Sequence, residues 1–126
     1  MTLEDKIGVT SFFNTNWLET SIHFAGLEFD PAELEEWIRI EYTPNASKSL
    51  DIAFSNYTSK GVLEVSIYAR KENRTYELYD LVLTMIRGAK FGDLKIKHID
   101  ILNKSNFQTL NGDYINLDVG IYLSSL

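Results

Sequence analysis

From residue 61 to 70 the chain reads GVLEVSIYAR, placing Leu63, Val65, Ile67 and Ala69 on one parity and Glu64, Ser66, Tyr68 and Arg70 on the other. That alternation predicts a strand with one buried face. The period changes at once in KENRTYELYDLVLTMIRGAKFG, where Tyr79, Val82, Leu83 and Ile86 recur at helical spacing. Asn73 or Thr75 can cap this helix, Glu77 and Asp80 suit its early turns, and Arg87 followed by Gly88 closes it.

The same reading extends outward from this pair. Leu3, Ile7 and Phe13 place a loosely helical face in residues 3–17, although Gly8, Val9 and Thr10 are poor helix formers. Ile22 and Phe24 predict a short extended segment, and Asp30 before Pro31 predicts one helical turn. Ile38, Ile40 and Tyr42 alternate with Arg39 and Glu41, a strand that Pro44 is expected to end. Leu94 and Ile96 share a parity that Ile99 and Ile101 then abandon, so a β-bulge is expected near His98. Residues 103–113 read as a turn region with Asn111-Gly112 as its tight turn. Ile115, Leu117, Val119, Ile121 and Leu123 form the apolar face of a last strand. These stripes predict a single α+β domain spanning residues 1–126, a mainly antiparallel sheet of about four strands packed against one or two helices.

Composition then limits the function. A chain of 126 residues buries roughly two-thirds of the surface it exposes when unfolded, enough for a real core. Its net charge of −6 disfavours a nucleic-acid binder, whose affinity comes from clustered Lys and Arg. With no cysteine, disulfides, thiolate metal sites and cysteine nucleophiles are excluded. MTLEDKIGVTSFF reads as neither a signal nor a transit peptide, so cytoplasmic synthesis is expected. No apolar run approaches the about eighteen residues of a membrane-spanning helix. Asn45, Asn56, Asn73 and Asn103 each open an Asn-x-Ser/Thr triplet, read as turn and capping residues rather than glycan acceptors.

Reactive chemistry is hard to find in the pattern. His98 and Asp100 share a strand face, yet a zinc site needs three or four ligands, so no metal and no cofactor is expected. No glycine-rich phosphate loop, nucleophile elbow or H-E-x-x-H occurs. Glu33, Glu35 and Glu36 read as a solvated acidic face. Tyr68 and Tyr122 fall on the polar parity of their strands, where an exposed aromatic marks a partner surface. The long, mixed segment 45–61 has the composition of a functional loop.

Several pieces of the chain carry a resemblance. F-x-G-x-x-F-x-P from Phe24 to Pro31, WIRIEY-x-P, KGVLEVSIYAR, a helix ending IRGAKFGDLKI, and NGDYINLDVGIYL follow one another across residues 22–123. In this order they resemble the tail terminator proteins of long-tailed bacteriophages, the minor tail protein U type and related prophage tail-completion proteins. The resemblance implies a non-enzymatic virion protein, assembled in the host cytoplasm and located at the head-proximal end of the tail. It implies a homo-hexameric ring that caps the tail tube protein, stops its polymerisation and docks the head–tail connector protein. On this reading Lys48, Asp51, Phe54 and Tyr57 become ordered against the tube, while Tyr68, Arg70 and Arg87 contact neighbouring subunits. Two alternatives stay open: a neck or head-completion protein of the same virion, and a small ligand-binding or enzymatic domain with His98 and Asp100 at a pocket mouth.

Overall fold

The computed structural model describes residues 2–46, 59–91, 94–110 and 112–124. Among them the elements run α1 (Thr2–Asn16), β1 (Ser21–Phe24), β2 (Glu36–Ala46), β3 (Ser59–Ala69), α2 (Glu72–Ile86), β4 (Lys90–Phe91), β5 (Leu94–Thr109) and β6 (Gly112–Ser124). The strands form one curled, half-barrel sheet in the order β1-β2-β3-β6-β5-β4. β1 lies parallel to β2, and the other pairings are antiparallel.

The expectation of about four antiparallel strands is therefore corrected: the sheet has six strands and is mixed. The physical reasons are local. β4 is two residues long, too short for alternation to register. β5 continues to Thr109, through residues read as a turn, because its distal half is exposed on both faces and carries no apolar alternation. The chain reverses between the paired residues Thr109 and Gly112, where the Asn-Gly signal stands.

Both helices cover one face of the sheet. Val9, Phe13 and Trp17 of α1 and its end join Leu78, Val82 and Ile86 of α2 in a single buried cluster with Ile38, Leu63, Ile67, Leu117 and Ile121. On α1 the buried face is thus Val9–Phe13–Trp17, one residue every turn, while Ile7 is 56% exposed. On α2 the buried stripe is Thr75, Leu78, Val82 and Ile86, rotated from the predicted one so that Tyr79 and Leu83 lie at its margin. The N-cap is Lys71, without a side-chain cap; Asn73 and Thr75 lie inside the helix, where Thr75 Oγ1 donates to the Lys71 carbonyl at 3.0 Å. Gly88, at φ 76°, follows the C-cap Arg87 as expected.

Two smaller expectations also change. Pro44 does not end β2 but pairs with Gly61. β1 covers β2 only as far as Ile40, so Pro44 sits where β2 is an edge and its missing N–H breaks no ladder on that side. Asp30 caps no helix: its Oδ1 accepts from the Ala32 N–H at 3.0 Å, and Leu34 N–H donates to the Pro31 carbonyl at 2.9 Å, giving a single turn. The bulge near His98 is present, as a register shift between Ile96 and His98, and a second shift separates Ile101 from Asn103.

Candidate assembly surfaces

The face of the sheet away from the helices is not bare. Segment 25–35 joins the parallel strands β1 and β2 and lays Phe29 against Trp37, whose residual exposure is 3%. Trp37 stacks on Tyr68 at 4.6 Å, Phe107 meets Tyr68 edge-on at 5.2 Å, and Tyr114 meets Trp37 edge-on at 4.8 Å. These rings form a second, aromatic core, because alternation puts residues 37, 68, 107 and 114 on the same side of four neighbouring strands. They leave a cavity of about 220 Å³, smaller than the roughly 300–1,000 Å³ of sites that enclose small molecules.

Arg70 fastens this layer. Its Nε donates to Glu35 Oε2 at 2.6 Å, its Nη2 donates to Tyr114 Oη at 3.0 Å, and Tyr114 Oη donates to the Leu34 carbonyl at 2.7 Å. The hydrogen bond to Glu35 raises the Arg70 pKa above its ordinary value. Arg74 holds Glu36 in the same way, Nε to Oε2 at 2.9 Å. One arginine just after β3 and one on α2 therefore pin Glu35 and Glu36 where the chain enters β2.

Further along the same face, acidic residues line up across the strands. Glu41 stands opposite Glu64, Glu64 opposite Gly120, and Gly120 opposite Asp100. Burial pushes the Glu64 carboxyl above its ordinary 4.5, Asp118 and Glu41 add to the shift, and Arg39 opposes it. Gly120 leaves room in this row for Leu102, which packs across it from β5.

The most open element is β5. β4 pairs with it only at Leu94 and Lys95, so from Ile96 to Thr109 its outer edge has no strand partner among the described residues. Along this edge and its turn Ile101 is 48%, Leu102 45%, Phe107 40% and Leu110 105% exposed. Lys104 is the one lysine of β5 given a carboxylate among the described residues, that of Glu72, and its ammonium lies 5.3 Å from the Tyr76 ring.

The residues singled out from sequence are scattered by this structure. Tyr68 is half-buried in the aromatic layer and Arg70 is engaged within the chain, while Arg87 is exposed at the end of α2, far along the chain from both. Lys48, Asp51, Phe54 and Tyr57 lie outside the described residues. His98 Nε2 and Asp100 Oδ2 are 2.7 Å apart, with side chains 60% and 52% exposed. Tyr122 lies 5.7 Å from the His98 ring and lines an open depression with Lys60 and Lys97. No group of three His, Cys, Asp or Glu able to hold a metal occurs among the described residues, nor does a helix long and apolar enough to cross a membrane. The β5 edge escaped the sequence reading; its one signal was a run of lysines beside isoleucines in DLKIKHIDILNK.

Comparison with known proteins bears on the fold. No family model matches the chain, and no curated protein matches it either. One solved structure, whose name states no function, aligns over 96% of this chain and 96% of its own, with a TM-score of 0.51 and 13% identity. At that identity the likeness shows a shared fold and nothing about activity.

Proposed function

We propose that the protein is a structural subunit of a phage tail that caps the finished tail tube as a homo-hexameric ring, halts tube polymerisation and presents a docking face to the head–tail connector. One observation supports this reading best: among the described residues β5 leaves a long strand edge unpaired beside Ile101, Leu102 and Phe107. A bare edge next to exposed apolar side chains is a hazard that monomers cover or blunt, and a subunit that covers it by assembly has a use for it. The ordered resemblance across residues 22–123 supplies the kind of assembly. The aromatic layer braces the sheet from which β5 projects, so the edge is presented by a rigid element.

The test is an end-capping assay. Tail tube protein from the same phage genome is allowed to polymerise with and without this chain, and the products are imaged by negative stain. Short tubes, each with extra density at one end, are expected when the chain is added. Tubes of unchanged length with no bound chain overturn the proposal.

A further inference from the structure

We infer that the open depression on the sheet face away from the helices is a ligand site for a small phosphate monoester with a flat apolar body. The phosphate lies among Lys60, Lys95 and Lys97, and the body rests on Val62 and Tyr122. Such a site goes beyond the assembly reading and does not depend on it.

Strand register builds the cationic part. Lys60, Ser124, Lys95 and Lys90 pair in one row across β3, β6, β5 and β4. Their chain neighbours Leu123, Leu94 and Phe91 are buried in the core under the helices, so the row points to the other face. Neighbouring strands lie about 4.8 Å apart, which sets the Cα atoms of Lys60 and Lys95 about 10 Å apart on either side of Ser124, within reach of one shared anion. The first bulge of β5 adds Lys97, the extra residue between Ile96 and His98, to the wall of the same depression. None of these four lysines has an ion-pair partner among the described residues, although the chain as a whole carries a net charge of −6. Lysines on an outer edge deter stray strand pairing, but Lys60 stands on β3, which is paired on both sides.

The apolar part lies beside the cations. Gly61, Val62, Tyr122 and Leu123 line the depression together with Lys60, Lys97 and Ser124. It holds about 470 Å³, within the roughly 300–1,000 Å³ of small-molecule sites. Val62 and Tyr122 pair across β3 and β6 and are half-buried, so they give the depression a floor. His98, whose ring lies 5.7 Å from Tyr122, engages Asp100 at 2.7 Å, on the side away from the lysine row.

Charge and surroundings choose the ligand. A phosphate monoester carries about −1.5 to −2 at neutral pH and several acceptor oxygens, so it answers more than one ammonium, whereas a carboxylate carries a single charge. A long polyanion is disfavoured. Glu41, Glu64, Gly120 and Asp100 form an acidic row further along the same face, about 13 Å from Ser124, which repels a phosphate chain continuing across the sheet. The anion is therefore small, and the apolar floor receives the rest of the molecule.

Ligand-observed NMR titration of the unmodified chain tests the site with phenyl phosphate, benzoate, phenol and inorganic phosphate. Phenyl phosphate is expected to bind saturably and about tenfold more tightly than benzoate or inorganic phosphate, and phenol is expected not to saturate. Lys60→Ala/Lys97→Ala should weaken phenyl phosphate about tenfold. Lys71→Ala/Arg87→Ala, the same charge change at the two exposed ends of α2, should leave it unaltered. Tyr122→Ala should weaken phenyl phosphate but not inorganic phosphate, separating the floor from the cations.

Inorganic phosphate bound as tightly as phenyl phosphate would mean an adventitious ion only and overturns the inference. Benzoate bound equally well overturns it too, as does phenyl phosphate that fails to saturate or ignores Lys60→Ala/Lys97→Ala. None of these outcomes bears on tube capping, which the end-capping assay decides separately.

Discussion

Gly112 shows how much one residue carries. It adopts φ 127°, a region that side chains avoid, and a Cβ there would strike the Arg70 guanidinium. Gly112→Ala is expected to cost about 1–3 kcal/mol, from strain and from displacement of the Arg70 clamp. Urea denaturation with the parent chain as reference checks it. Gly8 is the opposite case: it sits inside α1 and a Cβ there meets nothing within 4 Å. Gly8→Ala should therefore stabilise by about 0.5–1 kcal/mol. Glu64 supplies a pH dependence. Its folded-state pKa is raised, so the folded chain holds this proton more tightly, and stability from the group is full below 4.5 and lost as pH rises through the folded value. Glu64→Gln should gain about 0.5 kcal/mol at pH 7, removing a like-charge cross-strand pair, and should shrink the loss of stability above pH 4.5 in thermal melts across pH. Arg70 stood out in the sequence by parity alone; its partners Glu35 and Tyr114 lie 35 and 44 residues away, beyond any local pattern.

At the scale of elements, legibility followed burial. β3 and β6 pack one face on the helices and the other on a polar or aromatic layer, so their alternation is complete: Leu63, Val65, Ile67, Leu117, Val119 and Ile121 are fully buried. The first bulge of β5 was readable because isoleucines changed parity across it. The distal half of β5 was not readable, because a strand exposed on both faces has no apolar period to show. α1 was readable as a helix but its face was misplaced, since Val9 and Trp17 outrank Ile7 only once the sheet is there to receive them. The contrast gives a paired prediction. Ile67→Ala in the core should cost about 2–5 kcal/mol, whereas Ile101→Ala, 48% exposed on β5, should change monomer stability by less than about 0.5 kcal/mol. Ile101→Ala should nevertheless weaken self-association, which separates an assembly residue from a folding residue. Chemical denaturation and sedimentation of the two variants measure both effects.

At the scale of the whole molecule, the sheet is braced on both faces and, among the described residues, bare along the β5 edge. The helices seal one face, the aromatic layer and its two arginines brace the other, and the edge of β5 is left open between them. The free edge of β5 was not legible in the sequence, because strand order, which the sequence does not display, is what leaves β5 outermost beyond the reach of β4. The central claim is that copies of this subunit close into a ring. Its most direct test is the solution mass of the unmodified chain by light scattering, over a range of protein concentration at low and high salt. The account predicts a single species of about six times the 14.5 kDa chain. A monomer or a dimer at every concentration and salt would contradict it.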